Sequence, residues 1–282
     1  MDLIQHKNQL TSLLKQRRKE NNIVGFVPTM GALHQGHLSL IKIAQQQSDL
    51  VVISIFVNPT QFDNSADLEK YPRGLEEDLL KLKENFDNLI IFAPNTEEIY
   101  DEALTSETFD FGDLAKKMEG ASRDGHFDGV GTILKKFFTI IKPDKAFFGE
   151  KDFQQLLIVK KLVELLNLPI EIIGCPISRE ENGLARSSRN KRLSAEEQKE
   201  AGFIYKNLLK AKAKFKTTSI SSIINEIEKD FKNNPHFNLD YIEIVEAETL
   251  NTAQQVEENK KYRIFIAVYM GDVRLIDNIA LN

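Results

Sequence analysis

Short apolar runs alternate, over the first two thirds of the chain, with segments whose apolar residues recur every three or four positions. The runs are rich in valine, isoleucine and phenylalanine, which favours buried parallel strands; they cover residues 23–28, 50–57, 89–92, 145–148 and 170–174. The recurring pattern is typical of helices with one apolar face, at residues 3–20, 37–47, 75–85, 128–141 and 153–166. Because strands alternate with helices, the sequence predicts an α/β fold with a parallel sheet.

The pattern changes near residue 176. The later elements are helices over residues 194–215 and 219–233 and strands over residues 239–245, 262–269 and 273–276. Met270, Gly271 and Asp272 form a short turn between the last two strands, as in an antiparallel hairpin. We therefore predict a Rossmann-like domain over residues 1–176 and a smaller α+β domain with antiparallel strands over residues 177–282.

The turn after the first predicted strand carries two histidines three positions apart, His34 and His37. It opens a helix, where unpaired backbone N–H groups and the helix dipole favour an anion. Gly31 and Gly36 allow a ligand to approach the backbone closely. Two imidazole donors at a helix start indicate a phosphate site, although this motif alone leaves an ordinary glycine-rich turn as the alternative.

Three further segments carry polar clusters. Asn58 and Gln61 offer amide groups after the second strand, although an ordinary Asn-Pro turn also explains them. Lys151, which suits a phosphate, and Gln155, on the first turn of the next helix, follow the fourth strand. Residues 186–192 combine two hydroxyls with several cations, which suits phosphate oxygens. Solvated charged loops are the alternative for the last two segments.

Together these segments predict a nucleoside triphosphate bound between the two domains. One helix dipole contributes only about 0.3–1 kcal/mol to holding an anion at an exposed site. We therefore expect Lys151, Arg189 and a Mg²⁺ ion to neutralise the remaining charge. Asp152 and the pair Glu77 and Asp78 are the candidates for holding the metal, with a solvated helix face as the other interpretation of the pair.

Composition narrows the class of protein. With 282 residues, 41% hydrophobic and 28% charged, the chain has the make-up of a globular protein. A net charge of -5 argues against a general nucleic-acid binder. The single cysteine, Cys175, excludes an intrachain disulfide framework, and the N-terminus lacks the pattern of a signal peptide. No apolar run is long enough to span a bilayer, so we expect a cytoplasmic protein without membrane or nucleic-acid partners.

The order of these segments resembles the pantothenate synthetase family over nearly the whole chain. The segments that carry the resemblance are residues 28–37, 58–62, 71–73, 125–130, 148–155 and 187–190. The His-x-Gly-His turn alone is shared with many nucleotidyltransferases and class I aminoacyl-tRNA synthetases, and residues 187–189 resemble the lysine–serine loop of those synthetases. The joint order of the segments is what makes the resemblance specific.

The resemblance implies an ATP-dependent ligase of pantothenate and coenzyme A biosynthesis that uses Mg²⁺ and forms a homodimer. In that family, the carboxylate of pantoate attacks the α-phosphate of ATP, which gives pantoyl adenylate and pyrophosphate. The amine of β-alanine then attacks the acyl carbon, which gives pantothenate and AMP.

The resemblance also implies roles for individual residues. The catalytic residues would be His34, His37 and Lys151. The ATP-binding residues would be these three with Met30, Gly31, Ala32, Leu33, Gln35, Gly36, Gly149, Glu150, Asp152, Ser178, Arg186, Ser187, Ser188 and Arg189. The residues for the organic substrates would be Asn58, Gln61 and Gln155, and those for the metal Asp78 and Asp152. Within these groups, we expect His37 to donate to the phosphate as charge develops, with His34 beside it. Gln61 and Gln155 would hold pantoate.

Two positions depart from the family pattern: Arg186 stands where the residue is usually apolar, and Phe153 where tyrosine is common. Residues 62–70 are polar and follow Gln61 directly. They are either a lid that excludes water from the acyl adenylate or a surface loop. Two other functions remain open at this point, a nucleotidyltransferase acting on a phosphorylated small molecule and a non-catalytic RNA- or nucleotide-binding relative of the synthetases.

Overall fold

The structure is a computed structural model that describes residues 1–18, 22–62, 68–69, 71–100 and 103–282. It divides into two compact units. The first comprises Met1–Glu150 and Gln154–Pro176, and the second comprises Lys151–Phe153 and Ile177–Asn282. The stretch considered above as a lid, residues 62–70, lies outside the described residues except at 62, 68 and 69, so the lid stays a prediction.

The first unit contains a six-stranded parallel sheet. Its strands are β1 Asp2–Ile4, β2 Val24–Thr29, β3 Leu50–Ile55, β4 Leu89–Phe92, β5 Lys145–Gly149 and β6 Glu171–Cys175. Their order is β1-β4-β3-β2-β5-β6, and every neighbouring pair is parallel. Phe26 and Val27 are successive residues of β2 that point to opposite faces, and both are fully buried, as the continuous apolar run indicated. The predicted Rossmann-like parallel sheet is confirmed.

Helices cover both faces of this sheet. They are α1 Lys7–Arg17, α2 Gln35–Gln47, α3 Leu75–Asn85, α4 Thr96–Ile99, α5 Met118–Ser122, α6 His126–Ile141 and α7 Phe153–Leu165. On one face, Phe137 of α6 packs edge-on against Phe26, Phe56 and Phe92, with ring centres 5.7, 6.0 and 5.9 Å apart. On the other, a second apolar cluster joins α2 and α3 to the sheet.

The first helix begins later than predicted. The apolar spacing placed it over residues 3–20, but β1 precedes it and pairs with β4, Asp2 facing Ile90. Three residues are too few to show the alternation of a strand, and Leu3 and Ile4 also fit the apolar side of a helix. The pairing with β4 therefore decides the structure of this segment, and only long-range contact could have indicated it.

The second unit pairs three antiparallel strands with helices. The elements are α8 Ala195–Glu200, α9 Gly202–Lys214, α10 Ile220–Lys232, β7 Asn238–Glu246, β8 Tyr262–Met270 and β9 Val273–Ala280. The strands lie in the order β7-β8-β9, and the predicted hairpin is confirmed because Met270 pairs with Val273. Its core is a single apolar cluster between the helices and one face of this sheet. In the part of the chain that the structure describes, no helix combines the length and apolarity that crossing a membrane requires.

The predicted helix over residues 194–215 is in fact two helices that meet at Ala201. Asn182 explains the break, since its Nδ2 donates to the carbonyl oxygens of Gln198 and Lys199 at 2.7 and 3.2 Å and so closes the end of α8. Gly202 begins α9 against the same residue, where a Cβ would lie 2.7 Å from the Asn182 carbonyl oxygen. An apolar repeat does not show such a break.

Candidate active site

The turn between β2 and α2 has, at Gly31, a backbone conformation that few residue types other than glycine adopt easily. Gly31 has φ +78, and a Cβ there would lie 3.1 Å from Asp78 Oδ2. Thr29 supports the turn from the strand end: its hydroxyl donates to the Ser54 carbonyl oxygen at 2.7 Å and accepts the Gly31 N–H at 3.2 Å. The backbone conformation and the limited space therefore both favour glycine at position 31.

Asp78 holds the same turn from α3. Its Oδ1 accepts the Leu33 N–H at 2.7 Å, and the side chain is 1% exposed. The interpretation of Glu77 and Asp78 as a solvated pair is therefore wrong for Asp78, while Glu77 is exposed. A buried carboxylate that accepts a backbone N–H makes a charge-assisted bond, stronger than a neutral one.

His34 and His37 close the N-terminus of α2 on each other. His34 Nδ1 accepts the Gly36 N–H at 3.1 Å, and the His34 N–H donates to His37 Nδ1 at 3.3 Å. The two rings lie 4.1 Å apart. Because each Nδ1 accepts an N–H, the hydrogen-bond network assigns the proton of each neutral imidazole to Nε2. The turn thus carries two Nε2–H donors at the positive end of a helix dipole.

Gln61 lies beside this turn. Its side chain is buried, and Nε2 is 2.7 Å from Met30 Sδ, in the first residue of the histidine turn. Its backbone is held from α6, where His126 Nδ1 donates to the Gln61 carbonyl oxygen at 2.8 Å. Arg123 approaches the other ring nitrogen of His126 at 3.2 Å, which is consistent with Nε2 as the acceptor.

Asn58, three residues before Gln61, is buried and bonded within the protein. Its Nδ2 donates to the Gly129 carbonyl oxygen at 3.1 Å, and its Oδ1 accepts the Tyr100 hydroxyl at 2.6 Å and the Thr60 hydroxyl at 3.2 Å. Burial raises the pKa of Tyr100, which keeps that hydroxyl a donor. The structure thus shows Asn58 fixing the turn that carries Gln61, and a direct contact with substrate stays a prediction.

Sequence reasoning gave no role to Tyr100, Arg123 or His126. His126 lies in residues 125–130, a segment that carried the family resemblance, so a signal for it existed. Nothing around Tyr100 in the sequence marks it, because its partner Asn58 is 42 residues away. These side chains support the backbone of a predicted site residue, and that role depends on contacts the sequence pattern does not contain.

The two adjacent glutamines at the start of α7 have different surroundings. Gln154 is buried, its Nε2 donates to the carbonyl oxygens of Leu114 and Lys117 at 2.8 and 2.7 Å, and its Oε1 accepts the Glu119 N–H at 3.1 Å. Gln154 therefore anchors residues 114–119. Gln155, the predicted pantoate ligand, is half-buried.

Residues 149–152 divide between the units. Gly149 ends β5 and Glu150 is half-buried in the first unit, whereas Lys151 and Asp152 belong to the second. Lys151 Nζ lies 3.8 Å from Asp152 Oδ1, and the Asp152 side chain is half exposed. The two metal candidates Asp78 and Asp152 thus belong to different units. Within the described residues, no group of three or more metal-ligating side chains occurs.

Arg186 is occupied within its own segment. Its backbone N–H donates to the Ser178 carbonyl oxygen at 3.0 Å, its Nε to the Arg179 carbonyl oxygen at 3.1 Å, and its guanidinium pairs with Glu180 at 2.9 Å. Where the family pattern has an apolar residue, this chain thus has an arginine that folds back on residues 179–180.

The serines that follow Arg186 begin a short 3₁₀ helix, Ser188–Arg192. Ser187 caps it, since its hydroxyl accepts the Arg189 N–H at 3.3 Å. Asn190 ties the helix to the segment before it by donating from Nδ2 to the Ala185 carbonyl oxygen at 3.0 Å. Ser187, Ser188 and Arg189 are therefore held in one compact turn, and Ser188 within it is buried.

Comparisons with known proteins identify the family of the chain. The family profile described as pantoate-beta-alanine ligase matches residues 2–280. The chain belongs to this family. It is 52% identical to the pantothenate synthetase of Christiangramia forsetii and 50% identical to that of Flavobacterium psychrophilum, in both cases over 282 residues and the whole length of both chains.

Solved structures of the family have the same fold. The pantothenate synthetase of Thermus thermophilus matches with a TM-score of 0.91 at 39% identity, over 100% of this chain and 99% of that one. A pantoate-beta-alanine ligase from Francisella tularensis, complexed with beta-gamma ATP and beta-alanine, matches with a TM-score of 0.81 at 36% identity, over 100% and 98%. The protein is an enzyme that ligates pantoate to β-alanine.

Proposed function

We propose that the protein activates pantoate with ATP and transfers the pantoyl group to β-alanine, releasing pyrophosphate and AMP. The observation that supports this proposal is the pair of backbone bonds to His37 Nδ1 and His34 Nδ1, donated by the His34 and Gly36 N–H groups, which leaves an Nε2–H on each ring at the start of α2. The Francisella relative, complexed with an ATP compound and beta-alanine, supports ATP and β-alanine as substrates of this chain.

In the first step, a carboxylate oxygen of pantoate forms a bond to the α-phosphorus and the bond to pyrophosphate breaks. Negative charge grows on the phosphate oxygens as this happens. His37 donates to one of these oxygens through Nε2–H, with His34 beside it and the dipole of α2 behind both. The donors are fixed before the reaction because each Nδ1 is already occupied.

Pantoate binds through the amides of Gln61 and Gln155. Gln61 is suited to this because its backbone is fixed by His126 and its turn by Asn58. A side chain held by this much surrounding structure loses little freedom on binding, which helps to place the carboxylate near the phosphorus. Gln61 is also the residue that we assign to the β-alanine position.

The charged phosphates need cations as well. We assign Lys151, Arg189 and the hydroxyls of Ser187 and Ser188 to the phosphate oxygens. The remaining ATP-binding assignments, which include Met30, Glu150 and Ser178, rest on the family resemblance.

Magnesium is expected to bind with the phosphates. Mg²⁺ takes oxygen ligands and commonly uses one or two carboxylates together with substrate phosphates, so Asp78 and Asp152 fit it chemically. When bound, the ion would neutralise phosphate charge. Asp78 also carries out its structural role toward Leu33 at the same time, since a carboxylate has several acceptor positions.

In the second step, the neutral amine of β-alanine forms a bond to the acyl carbon, the bond between that carbon and the AMP oxygen breaks, and the nitrogen releases one proton as the amide forms. AMP leaves with the electron pair and keeps one oxygen that came from pantoate. Water would compete with the amine at the acyl carbon, so the site must exclude it. We also assign the protein to the cytoplasm, which its single cysteine favours, and to a homodimer, which the family resemblance implies.

The test traces a carboxylate oxygen of pantoate into the products. The protein is mixed with ATP, Mg²⁺, radiolabelled pyrophosphate and pantoate labelled with ¹⁸O in its carboxylate, with and without β-alanine. We expect exchange of pyrophosphate into ATP that depends on pantoate, and, after β-alanine is added, AMP that carries one ¹⁸O. ADP and labelled phosphate as products would mean an acyl phosphate instead. Pyrophosphate release without amide formation would favour a nucleotidyltransferase.

A further inference from the structure

The segment Lys151–Phe153, called the Lys151 turn below, belongs to the second unit although the residues on either side of it belong to the first. One side chain of β9 holds its backbone: Asn278 Nδ2 donates to the Lys151 carbonyl oxygen at 2.8 Å. Asn278 is 1% exposed. The bond is therefore shielded from water, and the turn has a specific partner 127 residues away in sequence.

The orientation of the Asn278 amide is fixed from β8. Its Oδ1 accepts from the guanidinium of Arg263, and its backbone N–H donates to Asp277 Oδ1 at 2.7 Å. A guanidinium only donates, so the atom facing Arg263 is the amide oxygen. The amide nitrogen must then face Lys151.

Arg263 also covers the third residue of the turn. Its guanidinium carbon lies 4.0 Å from the centre of the Phe153 ring, and Phe265 packs against the same ring at 6.1 Å. This stacking needs a ring face and no hydroxyl, so phenylalanine serves at the position where the family often has tyrosine. The two ends of the turn are thus held by neighbouring side chains of one sheet.

Strand β9 also carries a buried carboxylate next to Asn278. Asp277, next to Asn278, is buried and pairs with Arg179 at 2.6 and 2.9 Å. Burial raises the pKa of Asp277, while the positive charges of Arg179 and Lys151 oppose that rise.

We propose that Asn278 and Arg263 are positioning residues for the nucleotide. They hold the Lys151 turn on the strands of the C-terminal sheet, so that Lys151 meets the phosphates of ATP in one fixed backbone conformation. The proposal rests on the proposed assignment of Lys151 to ATP. It adds two side chains of β8 and β9 that do not themselves touch substrate.

The experiment compares Asn278→Asp with Asn282→Ala. Asn278→Asp keeps an oxygen for Arg263 but removes the side-chain N–H that reaches the Lys151 carbonyl oxygen. Asn282 is a matched control, because it also bonds backbone of this sheet, at Tyr262 N and Lys260 O, both 2.8 Å away. For each variant we would measure thermal unfolding, kcat, and the KM values for ATP and pantoate.

We expect Asn278→Asp to raise the ATP KM about 2- to 13-fold, the scale of one lost hydrogen bond, with the pantoate KM within about twofold of the parent. Asn282→Ala should leave both KM values unchanged. If kcat falls in Asn278→Asp while both KM values stay unchanged, the role of Asn278 is merely structural and the proposal is overturned. An unchanged ATP KM would overturn it as well.

Two further variants separate the possible failures. If Lys151→Ala leaves the ATP KM unchanged, the assignment of Lys151 to ATP is wrong. If Lys151→Ala raises it and Asn278→Asp does not, only the positioning role is wrong. Should Asn278→Asp fail to fold, Arg263→Lys is measured instead. It removes the stacking on Phe153, since lysine lacks the planar group, and the same rise in ATP KM is expected.

Discussion

Removing the carboxylate of Asp78 should unfold the first unit more easily, and by an amount that the structure allows us to estimate. In Asp78→Ala, the N–H of Leu33, a residue with 0% exposure, loses its acceptor at 2.7 Å. A buried donor left without a partner costs about 1–3 kcal/mol. We expect the loss at the upper end of that range, because the bond is to a charged group.

Asp78→Asn separates the structural role from the metal role. Its amide oxygen can still accept the Leu33 N–H, so we expect a loss of about 1 kcal/mol or less, the difference between a charge-assisted and a neutral bond. The control is Glu77→Ala, an exposed neighbour on the same helix, which should change the free energy of unfolding by no more than about 0.5 kcal/mol.

Two measurements test this reasoning. Denaturant unfolding gives the change in the free energy of unfolding, and activity against Mg²⁺ concentration gives the half-saturating metal. If Asp78→Ala is as stable as Glu77→Ala, the claim that Asp78 holds the histidine turn is refuted. If Asp78→Asn needs no more Mg²⁺ than the parent, the assignment of Asp78 to the metal is wrong, while the structural role stands.

Three other predictions concern single side chains. His37→Ala should lower kcat about 10²–10³-fold, as for loss of one fixed transition-state donor; a near-normal kcat would remove His37 from the chemistry. Gln155→Ala should raise the pantoate KM more than the ATP KM, whereas Gln154→Ala should chiefly lower the melting temperature; the reverse pattern would exchange their roles. Burial raises the pKa of the Cys175 thiol to about 11 from 9.0. The folded protein then holds this proton more tightly than the unfolded chain, so stability from this group is complete below pH 9 and is lost as the pH rises toward 11. Cys175→Ala should unfold with a shallower alkaline loss of stability; an unchanged pH profile would show that the thiol does not contribute.

The sequence was sufficient for the parallel sheet because its strands are buried on both faces. Runs such as Leu50–Ile55 must then be apolar at nearly every position, and this is visible without any knowledge of their neighbours. β1 could not be predicted in this way, since three residues form a strand only because β4 is there to pair with. The break at Ala201 also depends on a distant side chain, Asn182.

The residues of the candidate site also fall into two groups, those that the local sequence predicts and those that it does not. His34, His37 and Gln61 could be named from local motifs, because each stands in a turn whose neighbours in sequence are part of the signal. Tyr100 and Asn278 could not, since each acts on a residue far along the chain through one hydrogen bond. The local pattern therefore predicts the residues expected to meet the substrate better than those that hold them in place.

Because Lys151–Phe153 belongs to the second unit, it matters where the chains of two related enzymes are joined in a chimaera. A chimaera joined at residue 176 would combine a Lys151 from one parent with an Asn278 and an Arg263 from another. Residues 151–153 should instead be exchanged together with the C-terminal part of the chain, as two separate stretches taken from the same parent. For the same reason, a fragment that stops at Pro176 would keep this lysine and lose the side chains that support it.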